Sequence, residues 1–261
     1  MKIGFIGLGN MGAALAQAVS QQADTQLLLS NHNPVKAHAL QEKVGGQLFS
    51  NGEIAEQAEV IFLGVKPHLI QSVLSGLQDQ ISQNPSAIWI SMAAGVTLNS
   101  LEEFVSADKL IRIMPNTPVA IGQGMTTYSV VNQELAPLLE QILEKTGKVQ
   151  QVPEKLIDAA TAIAGCGPAF VYQMIEALTD AGVQNGLTAE DAKILSAQTL
   201  AGTAQMVLYS DKHPAQLRQE VTSPGGSTIA GVVALEKEGF RYAVIMAVAA
   251  ALKKTRKLGK K

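Results

Sequence analysis

Short, nearly unbroken apolar runs alternate with longer segments of helical spacing up to about Val152. The runs at 2–7, 26–31, 60–66, 87–92 and 110–114 read as strands, and the segments 11–22, 34–44, 69–81 and 98–106 as the helices between them. Asn33 followed by Pro34 is a helix start, a cap with proline at the first helical position. Runs that do not alternate suit strands covered on both faces. The order predicts a doubly wound, mostly parallel α/β sheet of the Rossmann type. Residues 122–131 and 148–152, flanking one more helical segment, are candidates for two extra edge strands.

After Pro153 the strand pattern stops. Helices are predicted over 154–164, 168–185, 189–210, 214–221, 226–238 and 240–257, the last with Phe240, Ala243, Val244, Ala247, Val248, Ala251 and Leu252 on one face. The chain therefore divides into an α/β domain, 1–152, and an all-α domain, 153–261, without a low-complexity linker.

Composition narrows the class. Of 261 residues only 16% are charged, against roughly 25% in an average soluble chain. Twenty of the 35 alanines fall after residue 152, so the second domain reads as close-packed helices, and the low charge content suggests that more surface is hidden than one monomer would hide. The net charge of -2 hides an acidic body of -8 and a basic end made by Lys253, Lys254, Arg256, Lys257, Lys260 and Lys261. Cations there complement the negative end of a helix dipole. Disordered, nucleic-acid-coating, coiled-coil and disulfide-scaffold classes do not fit this balance or the single Cys166. One thiol suits a reducing cytoplasm. The start of the chain resembles a signal peptide only superficially, because glycines interrupt its apolar run. The uncharged stretch 194–210 is too polar to span a bilayer.

Gly7-x-Gly9-x-x-Gly12 ends the first strand and opens the first helix. In that setting the glycines permit a tight turn, close approach of a pyrophosphate and close packing of helix on strand, with Leu8, Asn10 and Met11 between them offering backbone to the phosphates. An acidic residue at the end of the second strand would bind the ribose 2′-hydroxyl of NAD. Ser30, Asn31, His32 and Asn33 stand there instead, with Lys36 a turn further on. Neutral donors accept a 2′-phosphate, which makes NADP(H) the expected cofactor and NAD(H) the alternative. Ligands in such sheets lie beyond the carboxyl ends of the strands, here Val65-Lys66-Pro67, Met92-Ala93-Ala94-Gly95 and Pro115-Asn116-Thr117. Ala93 and Ala94 are small enough for a flat nicotinamide to lie close, and Lys66 is placed to reach ribose or phosphate.

A second centre is Ser223-Pro224-Gly225-Gly226-Ser227-Thr228, small residues running into a helix and suited either to an anion or to a plain loop with a cap. The four histidines form no ligand spacing with Cys166 or an acid, so no metal site is expected.

GFIGLGNMG at 4–12, FLGVKP at 62–67, SMAAG at 91–95, MPNTP at 114–118, GCGPAF at 165–170, EALTDAG at 176–182 and HPAQLRQEVTSPGGSTIAG at 213–231 together resemble pyrroline-5-carboxylate reductase. The resemblance implies an oxidoreductase of proline biosynthesis that reduces 1-pyrroline-5-carboxylate to L-proline with NAD(P)H. It implies a homodimer through the C-terminal helices, with larger rings in many members. Carried over by motif, the carboxylate falls to the Gly226, Ser227 and Thr228 amides and the imine nitrogen to the Thr228 hydroxyl, the one candidate catalytic group. Asn51, Lys66, Ala94 and Asn116 match cofactor contacts, and Glu154 matches an acid near the substrate. Two positions depart from the pattern: Cys166 replaces a serine, and Glu220 stands where an amide is common. A 3-hydroxyacid dehydrogenase is the nearest rival, yet the lysine it needs is missing from 159–185. A non-catalytic NADP(H) sensor is the rival from another class, and the intact 223–228 loop argues against it.

Overall fold

The computed structural model of the chain describes residues 1–258. Of the basic end, Lys260 and Lys261 lie outside the described residues. Eight strands form one sheet: β1 (Lys2–Ile6), β2 (Gln26–Ser30), β3 (Gln47–Leu48), β4 (Val60–Leu63), β5 (Ile88–Ser91), β6 (Leu110–Met114), β7 (Gly124–Val130) and β8 (Gly147–Gln151). Their order in space is β3-β2-β1-β4-β5-β6-β7-β8. All neighbours are parallel except β6 and β7, so the last two strands oppose the first six. The doubly wound sheet is thus present, with β7 and β8 as the two added edge strands.

Both faces of this sheet are covered, which explains the unbroken apolar runs. Phe5, Leu29, Phe62, Ile90 and Ile111 face α1 (Asn10–Val19), α2 (Pro34–Val44) and α7 (Leu135–Ile142). Phe5 and Phe62 stack with centroids 4.7 Å apart. Ile6, Leu28, Ile61, Leu63 and Trp89 face α3 (Asn51–Gln57), α4 (Ile70–Ser75), α5 (Gln78–Gln83) and α6 (Leu98–Leu101). Gly4 leaves room for α3, since a Cβ there would run into the Ile54 side chain.

Several elements differ from the sequence-based expectation. The strand expected over 60–66 stops at Leu63, because Gly64 turns the chain against Gly7. The helix expected over 69–81 is broken at Gly76, a poor helix former, and Leu77 turns inward at the break. The helix at 98–106 is only one turn long: beyond it Val105 packs inward and Ser106 leads into a 3-10 turn. β3 and α3 had no assignment at all. α8 (Glu154–Ala160) passes into a π-helical turn, Thr161–Gly165, closed by the Cys166 amide on the Thr161 carbonyl at 3.0 Å.

Contacts group Met1–Cys166 with the end of the chain from Ala250 in one compact unit, and Gly167–Ala249 in a second. The second holds α9 (Gly167–Gln184), α10 (Ala189–Tyr209), α11 (Pro214–Glu220), α12 (Ser227–Lys237) and most of α13 (Phe240–Leu258). α10 starts at a Thr188 cap and α11 at His213, whose Nδ1 accepts the Ala215 amide. Only Ala192 and Ser196 are buried among the residues of this unit, while Tyr172, Ile194, Leu208, Tyr209, Tyr242 and Ile245 stand more than half exposed. Among the described residues no helix is long and apolar enough to cross a membrane.

Gly4→Ala should overpack the β1–α3 contact and destabilise the first unit by about 1–3 kcal/mol, read as a lower urea midpoint with an unchanged slope.

Candidate active site

The sheet register builds the site. Ile6 is paired with Ser30 on one side and with Leu63 on the other, so Gly7, Asn31 and Gly64 emerge side by side where the strand order reverses. Gly7 has φ +96°, and a Cβ on it would lie 2.7 Å from the Gly64 carbonyl carbon. Side chains on Gly12 or Gly64 would each collide with the Gly7 carbonyl oxygen, whereas the space around Gly9 is open. The first and third glycines therefore serve packing, and the second leaves backbone accessible. The first α1 bond runs from the Ala13 amide to the Gly9 carbonyl, which leaves the amides of Asn10, Met11 and Gly12 without helical partners. They form the positive end of a helix at the cleft.

That cleft encloses about 850 Å³. It brings together the predicted Gly7, Gly9, Ser30, Asn31, His32, Asn51, Val65 and Lys66, and its lining also includes Ser50, Gly52, Gly64, His68, Leu69 and Val73. No carboxylate lines it. Leu8, Asn10, Met11, Gly12, Pro67, Ala93, Ala94 and Asn116 lie outside the lining. Ala93 is buried in the core behind β5. Asn116 is fastened at both ends of its amide, accepting from Met125 N at 2.8 Å and donating to the Ala164 carbonyl at 3.0 Å.

The polar row after β2 is largely committed within the protein. The Ser30 hydroxyl donates to Asn51 Oδ1 at 2.6 Å. Asn31 accepts the Leu8 amide at 3.0 Å and donates to the Asn33 carbonyl, tying the glycine turn to β2. Asn33 caps α2 through the Val35 and Lys36 amides. This leaves His32 as the member of the row without such a bond among the described residues. α3, whose entrance carries Asn51, starts at a capping box: Ser50 Oγ accepts the Glu53 amide and Glu53 accepts the Ser50 amide. Those bonds hold the Glu53 carboxyl below the usual carboxylate range. The spacing Ser50-x-x-Glu53 was the readable signal for this helix.

In the second unit, Gly225 has φ +69° and the chain enters α12 through Gly226, whose own amide donates to the Ser223 carbonyl at 3.1 Å. The amides of Ser227, Thr228 and Ile229 are left free at the helix start, and Ser227 and Thr228 are exposed. Gly226 thus shapes the turn, and two of the three expected amides remain open to an anion. Glu220, the departure before this loop, pairs with Lys212 at 2.6 Å. Cys166 is half-buried at the end of the π turn.

Sequence reasoning missed Arg112. On β6 its side chain is 2% exposed, with Nη1 3.3 Å from Glu154 and Nη2 3.1 Å from Asp158. Glu154 also accepts the Leu98 amide at 2.6 Å. A charged residue inside an otherwise apolar strand was the available signal.

Asn31→Ala should strand the Leu8 amide and cost about 1–3 kcal/mol, measured by chemical denaturation together with faster hydrogen exchange at Leu8.

Comparison with known proteins agrees with this layout. Residues 154–258 match the family model for pyrroline-5-carboxylate reductase dimerisation, and residues 2–95 match that for NADP oxidoreductase, coenzyme F420-dependent. Pyrroline-5-carboxylate reductase of Pisum sativum is 38% identical, over 98% of this chain and 95% of its own. That of Synechocystis sp. is 39% identical, over 100% and 99%. The crystal structure of Plasmodium falciparum pyrroline carboxylate reductase with NADP bound superposes with a TM-score of 0.85 at 36% identity, covering 99% of this chain and 98% of that one. Identity of this level, sustained from end to end of both partners, means that the chain belongs to the pyrroline-5-carboxylate reductase family.

Proposed function

We propose that the protein reduces 1-pyrroline-5-carboxylate to L-proline with NADPH, the closing step of proline biosynthesis. The observation that carries the reading is kinship along the whole length, which takes in both the glycine turn and the 222–231 segment. The cleft fits a dinucleotide phosphate: free amides at the α1 start, an open Gly9, Lys66 and two histidines, and no acid to repel a 2′-phosphate. NADPH bound there supplies the hydride for the imine carbon.

The remaining steps belong to the chain's own residues. Gly7 and Gly9 let the pyrophosphate approach, with Leu8, Asn10, Met11 and Gly12 presenting backbone. His32 and Lys66 supply positive or donor character, while Ser30, Asn31 and Asn51 hold the wall in place. Val65, Pro67, Ala93, Ala94 and Asn116 shape the nicotinamide end. In the second unit, the Ser227 and Thr228 amides take the substrate carboxylate on the turn made by Gly226. The Thr228 hydroxyl hydrogen-bonds the ring nitrogen. A hydroxyl is a weak acid, so the proton arrives on the imine or from water, and Thr228 orients rather than ionises.

The functional boundary is placed between residues 152 and 153, next to the start of the matched dimerisation model. The chain forms a dimer, and the exposed apolar side chains of the second unit are its interface by this reading. A higher ring built from dimers and a cytoplasmic location complete it.

NADPH should be oxidised with 1-pyrroline-5-carboxylate, more slowly with NADH replacing it, and not with a 3-oxo acid; absorbance of the reduced nicotinamide reports all three. Oxidation with the 3-oxo acid alone would point to a hydroxyacid dehydrogenase, and with neither to a sensor. Thr228→Ala should lower turnover roughly 10- to 1000-fold in steady-state assays. Activity should also fall on dilution through the dimer dissociation constant, followed by sedimentation; a fully active monomer would remove the interface from the reading.

A further inference from the structure

We propose that Glu154 is a positioning residue for the reaction, acting on the Leu98 amide from a place held by Arg112. The inference rests on the reductase reading above. Arg112 lies in β6 opposite Ser91 of β5 and Ser129 of β7, all three buried. Its guanidinium forks between Glu154 and Asp158, one helical turn apart on α8. Glu154 Oε1 is shared: it faces Arg112 Nη1 at 3.3 Å and accepts the Leu98 amide at 2.6 Å. Leu98 is the first residue of α6, where a carboxylate is favoured by the helix dipole. One oxygen therefore joins the middle of β6, the start of α8 and the far end of the 93–97 turn.

Stability alone does not explain this arrangement. A buried ion pair is commonly no better than apolar residues of the same volume. Arg112 also keeps its Nε buried without a partner among the described residues, a further cost. What the network does achieve is geometric definition. In the 93–97 turn the Ala93 amide donates to Ser91 Oγ and the Val96 amide to the Ala93 carbonyl, and Thr97 ties the turn to α6 by accepting the Ser100 amide. Glu154 fixes its other end. Ala93 and Ala94 are the residues assigned to the nicotinamide end of the cleft, and displacement of a reacting group by about 1 Å costs on the order of 100-fold in rate. On this account Glu154 holds the turn rather than the substrate.

Three variants test the assignment. Glu154→Ala removes the shared oxygen and should lower kcat about 10- to 100-fold with little change in KM for NADPH. Glu154→Gln keeps an oxygen for Leu98 and should recover most of that loss. Glu154→Asp keeps the charge for Arg112 but withdraws the oxygen by one methylene, so it should be impaired even where the fold is intact. Without cofactor or substrate, the Leu98 amide should exchange faster in the Ala and Asp variants and at the wild-type rate in Gln. Folded Ala or Asp variants with wild-type kcat and exchange overturn the inference alone, as does a Gln variant impaired as deeply as Ala. A wild-type chain that does not reduce 1-pyrroline-5-carboxylate overturns the reductase reading and this inference with it.

Discussion

Everything at the cleft depends on one backbone contact. Gly7 meets Gly64 where β1 and β4 end together, and Gly12 rides over the same carbonyl. Any side chain at these points would collide with backbone and push α1 or β4 away. The amides at the start of α1 would then no longer point into the space between the strand ends. The switch in strand order supplies the crevice, and the glycine contact sets how deep the backbone lies in it.

The two units solve the problem of burial in opposite ways. The first is closed: aromatic and branched side chains fill both faces of the sheet, and its buried Arg112 is paired with two carboxylates. The second is open, with almost nothing buried and its larger apolar groups facing outward. A set of helices like this buries apolar surface when it associates, in keeping with the match of residues 154–258 to a dimerisation model.

The fold was legible where one physical signal dominated. Continuous apolar runs marked β1, β2, β4, β5 and β6, and the Asn33-Pro34 start gave α2 at both ends. What escaped were elements settled by tertiary contact. β3 is two residues long and exists because Leu28 and Leu29 offer it an edge. The split of α4 from α5 had a local signal in Gly76, but the inward turn of Leu77 that completes it is settled by packing. The candidate site was legible as a glycine fingerprint and as motif resemblance. The bonds that commit Ser30, Asn31 and Asn116 were not, because each joins segments remote in sequence or fixed by the turn itself. Arg112 was hidden for the same reason: its two partners lie more than 40 residues away.

The commitment of the β2 end has an evolutionary consequence. Cofactor preference in sheets of this kind drifts through substitutions at that end, where a single acid exchanges one ribose contact for another. Here the same positions also clamp the glycine turn and brace α3, so Ser30 and Asn31 cannot change for the sake of the cofactor without loosening the wall of the cleft. Within the row, His32 alone carries no such bond among the described residues, so a change there leaves the wall of the cleft intact. Selection for a different reductant would thus be channelled through one position, leaving the rest of the row constrained by the fold whichever nucleotide the cell supplies.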